Sequence, residues 1–146
     1  MNISKAVFSG MEANFQTKIG ENLSARLSST YLDARDKDPE LFGRSEDELS
    51  YIPKHKSDFE LIYQPYPDLL FSLLGSYHGK CYYYDSSNNQ NRLGGYFVCN
   101  AKVSQRLFNN WEISIYIENI LDRNYQEEEG YPQPGRNFLF NIKGVF

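Results

Sequence analysis

Trp111-Glu112-Ile113-Ser114-Ile115-Tyr116-Ile117-Glu118 alternates without a break, with apolar side chains at odd positions and polar or amphipathic ones at even positions. Successive side chains of a strand point to opposite faces, so the octet reads as a strand with one apolar and one polar face. The same period runs through the chain on both sides of it. Upstream, Phe97, Cys99, Ala101, Val103 and Leu107 oppose Asn100, Lys102, Ser104 and Arg106, and Leu69, Phe71, Leu73, Gly75 and Tyr77 make the face before that. Phe59, Leu61 and Tyr63 oppose Asp58, Glu60 and Gln64, and Leu23, Ala25, Leu27, Ser29 and Tyr31 oppose Ser24, Arg26, Ser28 and Thr30. The first strand is predicted from Ile3 to Ile19, and the last carries Phe138, Phe140, Ile142, Gly144 and Phe146. Seven strands are expected.

What joins the strands separates the possible architectures. Tight turns near 21, 66 (Pro65-Tyr66-Pro67-Asp68) and 109 (Asn109-Asn110) alternate with long polar stretches at 33–50, around Asp85 to Asn91, and at about 122–135. Outer-membrane barrels have short turns at one end, long loops at the other, and strands of roughly 9–11 residues. A soluble sandwich also alternates apolar and polar positions, so the period alone fits both; the loop asymmetry favours the barrel. Aromatics gather near the predicted strand ends (Tyr31, Tyr51, Tyr63, Tyr77, Tyr96, Trp111, Phe146), as an interfacial girdle requires. This accounts for a composition that is 16% aromatic yet polar on average, with a mean hydropathy of −0.61. No stretch approaches the roughly 18 apolar residues of a spanning helix. A net charge of −4 argues against a nucleic-acid partner.

The most specific stretch is Ile117-Glu118-Asn119-Ile120-Leu121-Asp122-Arg123-Asn124-Tyr125-Gln126, followed by Gly130-Tyr131-Pro132-Gln133-Pro134-Gly135-Arg136-Asn137-Phe138. It resembles the C-terminal end of TonB-dependent outer-membrane receptors, through Asn119, Asp122, Tyr125, Gly130, Tyr131, Pro132, Pro134, Gly135 and Arg136. Weaker similarities lie at Gly10-Met11-Glu12, Tyr31 to Arg35 and Ile52 to Lys56. The resemblance implies an all-β fold, an antiparallel transmembrane β-barrel segment of about seven strands, the last of a barrel of about 22 strands. It further implies an outer-membrane location and a share in energy-coupled uptake of a scarce ligand such as an iron chelate or corrinoid. Phe138, Phe140, Ile142 and Phe146 resemble the signal read by the barrel-assembly machinery. The implied partners are outer-membrane lipid, the remaining strands and plug, and that machinery, with TonB reached only through N-terminal parts. The polar face (Glu12, Asn14, Arg26, Lys102, Glu118) is implied to face the plug.

The family's signal peptide and plug have no counterpart in residues 1–146, so the expectation is a truncated or split receptor that does not transport alone. The rival is a small or oligomeric barrel acting as a binding module or passive pore. Neither a nucleophile beside a base nor a phosphate-cradling glycine loop stands at a telling spacing, so no enzyme activity and no cofactor are expected. The runs Glu127-Glu128-Glu129 and Glu46-Asp47-Glu48 read as solvated loops that can also meet a cationic ligand. Asp36, Asp38 and Glu40 have a calcium-loop look, but Leu41 stands where such a loop needs glycine. His55 and His78 lack a second ligand in register, so no metal site is expected. Lys54, His55 and Lys56 form a basic patch near the rim. Cys81 and Cys99 flank the second loop, where a disulfide is one of two outcomes.

Overall fold

The computed structural model describes residues 5–108 and 110–144. In chain order the strands are β1 (Ala6–Ile19), β2 (Leu23–Asp36), β3 (His55–Tyr66), β4 (Leu69–His78), β5 (Cys81–Tyr84), β6 (Gln90–Leu93), β7 (Tyr96–Leu107), β8 (Trp111–Glu118), β9 (Gln126–Glu128), β10 (Tyr131–Pro132) and β11 (Asn137–Gly144). Seven of them form one sheet in the order β1-β2-β3-β4-β7-β8-β11, each antiparallel to its neighbour. The remaining four make two small hairpins, β5 with β6 and β9 with β10, inside loops. Ile3, Asn109 and Phe146 lie outside the described residues.

The register carries the alternation from strand to strand. One line across the sheet joins Thr17, Ala25, Leu61, Leu73, Ala101, Ile117 and Phe138; the next joins Ile19, Leu23, Tyr63, Phe71, Val103, Ile115 and Phe140. These lines make an apolar band on one face. On the other face Ser28 stands beside Asp58 and Asp58 beside Ser76, whose hydroxyl donates to Asp58 Oδ1 at 2.6 Å. Arg26 Nη1 lies 3.3 Å from Glu60 Oε2. Both pairs are wet, so each contributes little, about 0–1 kcal/mol.

No second layer covers the apolar band. The buried apolar residues among those described are only Ala34, Leu49, Cys81 and Cys99, all at or near the loop end, whereas Met11 is 72% exposed and Phe140 65%. A water-soluble sandwich packs one sheet on another to hide such a face. A one-layer wall with its apolar side bare is built for hydrocarbon, and this sets the sandwich aside. Among the described residues the sheet is open, because β1 and β11 do not pair.

Several boundaries differ from the sequence reading, for local reasons. β2 continues through Asp33-Ala34-Arg35-Asp36, because β1 pairs with it as far as Ala6↔Asp36. β3 runs on to Tyr66 through a register irregularity after Tyr63, which leaves Pro67-Asp68 as the turn. The second loop, expected as a polar stretch around Asp85 to Asn91, rises as the β5–β6 hairpin. Two aromatics leave the expected girdle. Tyr51 lies in the first loop and Tyr96 shares the polar face, paired in register with His78.

Gly75 is the tightest point of the apolar band. A Cβ built there meets the Phe59 ring at 2.0 Å, because that ring lies over the glycine and stacks on Phe97 at 6.1 Å between centroids. Phe59 thus fills the gap that a glycine leaves in a strand. Gly75→Val is expected to destabilise the wall by about 1–3 kcal/mol through overpacking. Gly94→Ala, where nothing lies within 4 Å of the added carbon, is expected to be neutral. Urea midpoints of the detergent-extracted protein, followed by heat-modifiable gel migration, check this; a Phe59→Ala background recovers most of the Gly75→Val loss.

Candidate functional site

The long connections, residues 37–54, 79–95 and 119–136, all leave the sheet at one end, and the short connections β1–β2, β3–β4 and β7–β8 lie at the other. The first loop is held by Asp36, 2% exposed, whose backbone N–H donates to the Asp47 carbonyl at 2.7 Å. Arg44 Nη1 stands 3.6 Å from Asp36 Oδ2, and its guanidinium lies over the Tyr84 ring at 4.7 Å. In the second loop Asp85 Oδ1 accepts the backbone N–H groups of Ser87 at 2.8 Å and Asn89 at 2.9 Å. These bonds, with the Asn89 side chain, hold its carboxyl below the usual 3.8.

The loops are fastened to one another. The Tyr51 N–H donates to the Tyr82 carbonyl at 2.8 Å, and the Tyr51 and Tyr83 rings stack 5.8 Å apart. The Tyr84 hydroxyl donates to the Glu46 carbonyl at 2.9 Å, and Gln90 Nε2 to Glu48 Oε2 at 3.1 Å. Burial pushes the Tyr84 phenol up. From the third loop Glu127 accepts the Tyr96 hydroxyl at 3.2 Å, while Tyr125 packs on the Tyr96 ring at 4.4 Å and His78 stacks on it at 4.8 Å.

Two cavities lie beside the second loop, on opposite faces of the wall. The smaller, about 140 Å³, takes Lys56, His78 and Tyr96 from the polar face, with Cys81 from β5 and Glu127 from the third loop. The larger, about 610 Å³, takes His55 and Tyr77 from the apolar-face positions, with Lys80 just before the hairpin and Tyr82 and Arg92 within it. Alternation continues upward from the membrane band, so neighbours such as His55 and Lys56, or Tyr77 and His78, serve different cavities.

The third loop is a bracket built around Asn119, 3% exposed. Its Nδ2 donates to the carbonyls of Arg123 at 2.9 Å and Pro134 at 3.2 Å, its Oδ1 accepts the Arg123 N–H at 2.9 Å, and its own N–H donates to Asn100 Oδ1 at 2.8 Å. Asp122 Oδ1 accepts the Arg136 N–H at 2.9 Å, and a Cβ on Gly135 would sit 2.9 Å from that oxygen. Gly135 therefore makes room for the carboxylate that ties the start of the final strand. Gly130 takes φ +80° at the tip of the β9–β10 hairpin, with Tyr131 and Pro132 in β10. Phe138, Phe140 and Ile142 share one exposed face of β11.

Other sequence candidates are dispersed or tied up. Cys81 and Cys99 are buried free thiols: Cys99 stands opposite Gly75 on the apolar-face positions and Cys81 lines the polar-face cavity, so the pair that flanks the loop in sequence lies on opposite faces and forms no disulfide. Burial pushes the Cys81 thiol up. Asp36 turns to Arg44, not to a cation site with Asp38 and Glu40. Lys54, His55 and Lys56 do not make one patch, because Lys54 Nζ pairs with Asp33 at 3.5 Å and Glu48 at 3.4 Å while the other two face opposite ways. Arg35 pairs with Asp33 at 2.9 Å and Asp47 at 2.5 Å, which lowers the Asp33 carboxyl and keeps the guanidinium charged. The sequence reading did not find the β5–β6 hairpin or the loop-to-loop contacts of Tyr51, Tyr83 and Tyr84. The strand-favouring run Cys81-Tyr82-Tyr83-Tyr84 is the one local signal for it.

A one-layer antiparallel wall with a bare apolar band, a charged inner face and three tied loops at one end is part of a transmembrane β-barrel. The TonB-dependent receptor-like β-barrel family matches residues 1–120, and the chain belongs to that family. Of the bracket residues, Asn119 falls inside that match and Asp122 to Arg136 beyond it. Similar solved structures include the ferric-catecholate import receptor Fiu of E. coli K12, at 22% identity and TM-score 0.79 over 97% of this chain and 21% of that one. The copper transporter OprC matches at 19% identity and TM-score 0.76, over 97% of this chain and 24% of that one. The ferripyoverdine receptor of the outer membrane of Pseudomonas aeruginosa matches at 16% identity and TM-score 0.74, over 95% and 19%. The chain thus spans about a fifth to a quarter of the length of the structures it matches.

Asn119→Ala removes three side-chain bonds from a buried position, and such losses cost about 1–3 kcal/mol per group left unsatisfied. Trypsin is expected to cut at Arg123 and Arg136 several-fold faster in the variant, read by mass spectrometry of the released peptides. Unchanged cutting would mean that the bracket is held by other contacts.

Proposed function

We propose that this chain supplies the C-terminal strands and three outer loops of an outer-membrane receptor for energy-coupled uptake of a scarce ligand such as an iron chelate or corrinoid. The observation that carries the reading is the tied loop cluster at one end of a wall whose inner face is charged. A cargo arriving from outside meets Lys56, His78 and the Tyr96–Tyr125 ring pair on that inner face. The structurally similar proteins carry different cargoes, a ferric catecholate, copper and ferripyoverdine, which accords with a choice of ligand made by the loops and the plug.

In this reading the chain binds and conducts without chemical change of the cargo. The open edges of β1 and β11 must pair with the receptor's other strands, since each unpaired group in hydrocarbon costs several kcal/mol. The plug, TonB acting through parts outside this segment, and the assembly machinery reading Phe138, Phe140, Ile142 and Phe146 complete the partners.

Cysteine labelling tests the location and orientation. With Cys81 and Cys99 replaced by alanine, Asn88→Cys is expected to react with a membrane-impermeant maleimide on intact cells, and Glu21→Cys only after permeabilisation. The reverse pattern, or equal labelling, overturns the orientation. Uptake of radiolabelled ferric chelates and cobalamin by the native host, with and without the segment, tests the transport role; one cargo should drop to background on deletion.

A further inference from the structure

We propose that the larger cavity binds the phosphate of a lipid headgroup in the outer leaflet. It rests on the outer-membrane reading given above and goes beyond it, because this cavity is on the wrong face for cargo. His55 stands opposite Tyr31, and Tyr77 opposite Phe97 and Ser57, which are positions of the lipid-facing set. Lys56 and His78, one residue along in each strand, face the lumen cavity instead. The larger cavity therefore opens on the membrane side of the wall, just above the apolar band. Tyr77 and Phe97 are adjacent in register at the upper border of that band, the depth at which aromatic rings mark the headgroup level.

Its charge is unbalanced. Glu48, the acidic residue of the lining, is engaged by Lys54 at 3.4 Å and lies 4.0 Å from Arg35. Lys80 and Arg92 have no carboxylate partner among the described residues. Lys80 has only the face of Tyr82, 5.8 Å from its amine, and Arg92 stands directly across the hairpin from that tyrosine. Two cations lining one cavity with His55, Lys80 at the foot of the hairpin and Arg92 within it, match a phosphate: the guanidinium forks onto two oxygens and the ammonium adds a point charge. Leu49 and Ile52 give the cavity an apolar side, as a headgroup continuous with acyl chains requires. The volume of about 610 Å³ admits a sugar phosphate and exceeds the needs of a bare ion.

The test uses the full receptor carrying this segment, extracted in mild detergent, stripped of lipid and mixed with lipid A or with the same glycolipid after removal of its phosphates. Native mass spectrometry reads the bound fraction. Intact lipid A is expected to bind about tenfold or more tightly than the dephosphorylated form, and Lys80→Gln/Arg92→Gln should lower its affinity by a similar factor. The charge-matched inner-face pair Lys102→Gln/Arg106→Gln should change it less than about twofold, since neither residue lines this cavity. Equal binding of both glycolipids overturns the proposal using native protein alone, whether or not a variant folds. So does displacement by millimolar inorganic phosphate, which assigns the cavity to the free ion. Failure of the orientation itself shows separately, as maleimide labelling of Asn88→Cys only after permeabilisation.

Discussion

An amide group in hydrocarbon has no water to turn to, so each N–H and C=O of a membrane wall must bond to the strand beside it. In this chain that demand fixes the register along the seven-stranded sheet, and register does the rest. Sliding any one strand by a single residue would turn its apolar set inward and its charges to lipid. The band from Thr17 to Phe138 is continuous because the register holds across it, the one irregularity of β3 lying beyond Tyr63. Packing between layers contributes nothing comparable, since there is one layer, and Gly75 with Phe59 shows how locally the side chains are fitted within it.

Above the band the same alternation continues with different chemistry. Once the strands clear the membrane, both faces become polar, and side chains instead bind the loops to the wall and to each other. Arg35 and Lys54 gather Asp33, Asp47 and Glu48 on one side, while Tyr96 collects His78, Tyr125 and Glu127 on the other. Asn119 and Asp122 then return the chain from the third loop to the final strand through bonds to backbone groups. All of these contacts lie above the apolar band, which is why the loop end can hold the charged side chains that the band excludes.

The wall was legible in the sequence because alternation is a local property. Trp111 to Glu118 announces its two faces with no knowledge of its neighbours, and the same holds for the other long strands. The alternation of turns and loops ordered them. What escaped depends on distant residues. β2 reaches Asp36 because β1 is there to pair with it, and the acidic run Glu46 to Glu48 is tied because Arg35, Lys54 and Tyr84 converge on it. Cys81 and Cys99 look like partners along the chain, yet the alternation puts them on opposite sides. Lys54, His55 and Lys56 look like one patch for the same reason, and are divided by the same rule. The Asn119 and Asp122 bonds could be anticipated in kind, since both side chains suit neighbouring backbone, but not the space that Gly135 leaves for them.

On the receptor reading proposed above, the bond from Tyr51 to the Tyr82 carbonyl has a bearing on how cargo specificity changes over generations. It joins the first two loops through backbone atoms, and the stacked Tyr51–Tyr83 pair reinforces it, so the placement of each loop depends on the other. A first loop transplanted from a relative would arrive without its counterpart, and the donor's specificity would not travel with it. Two loops that must be exchanged as a set form one unit of heredity, and new specificities should arise by joint replacement of 37–54 and 79–95 or by substitutions at the rim that leave the seam untouched.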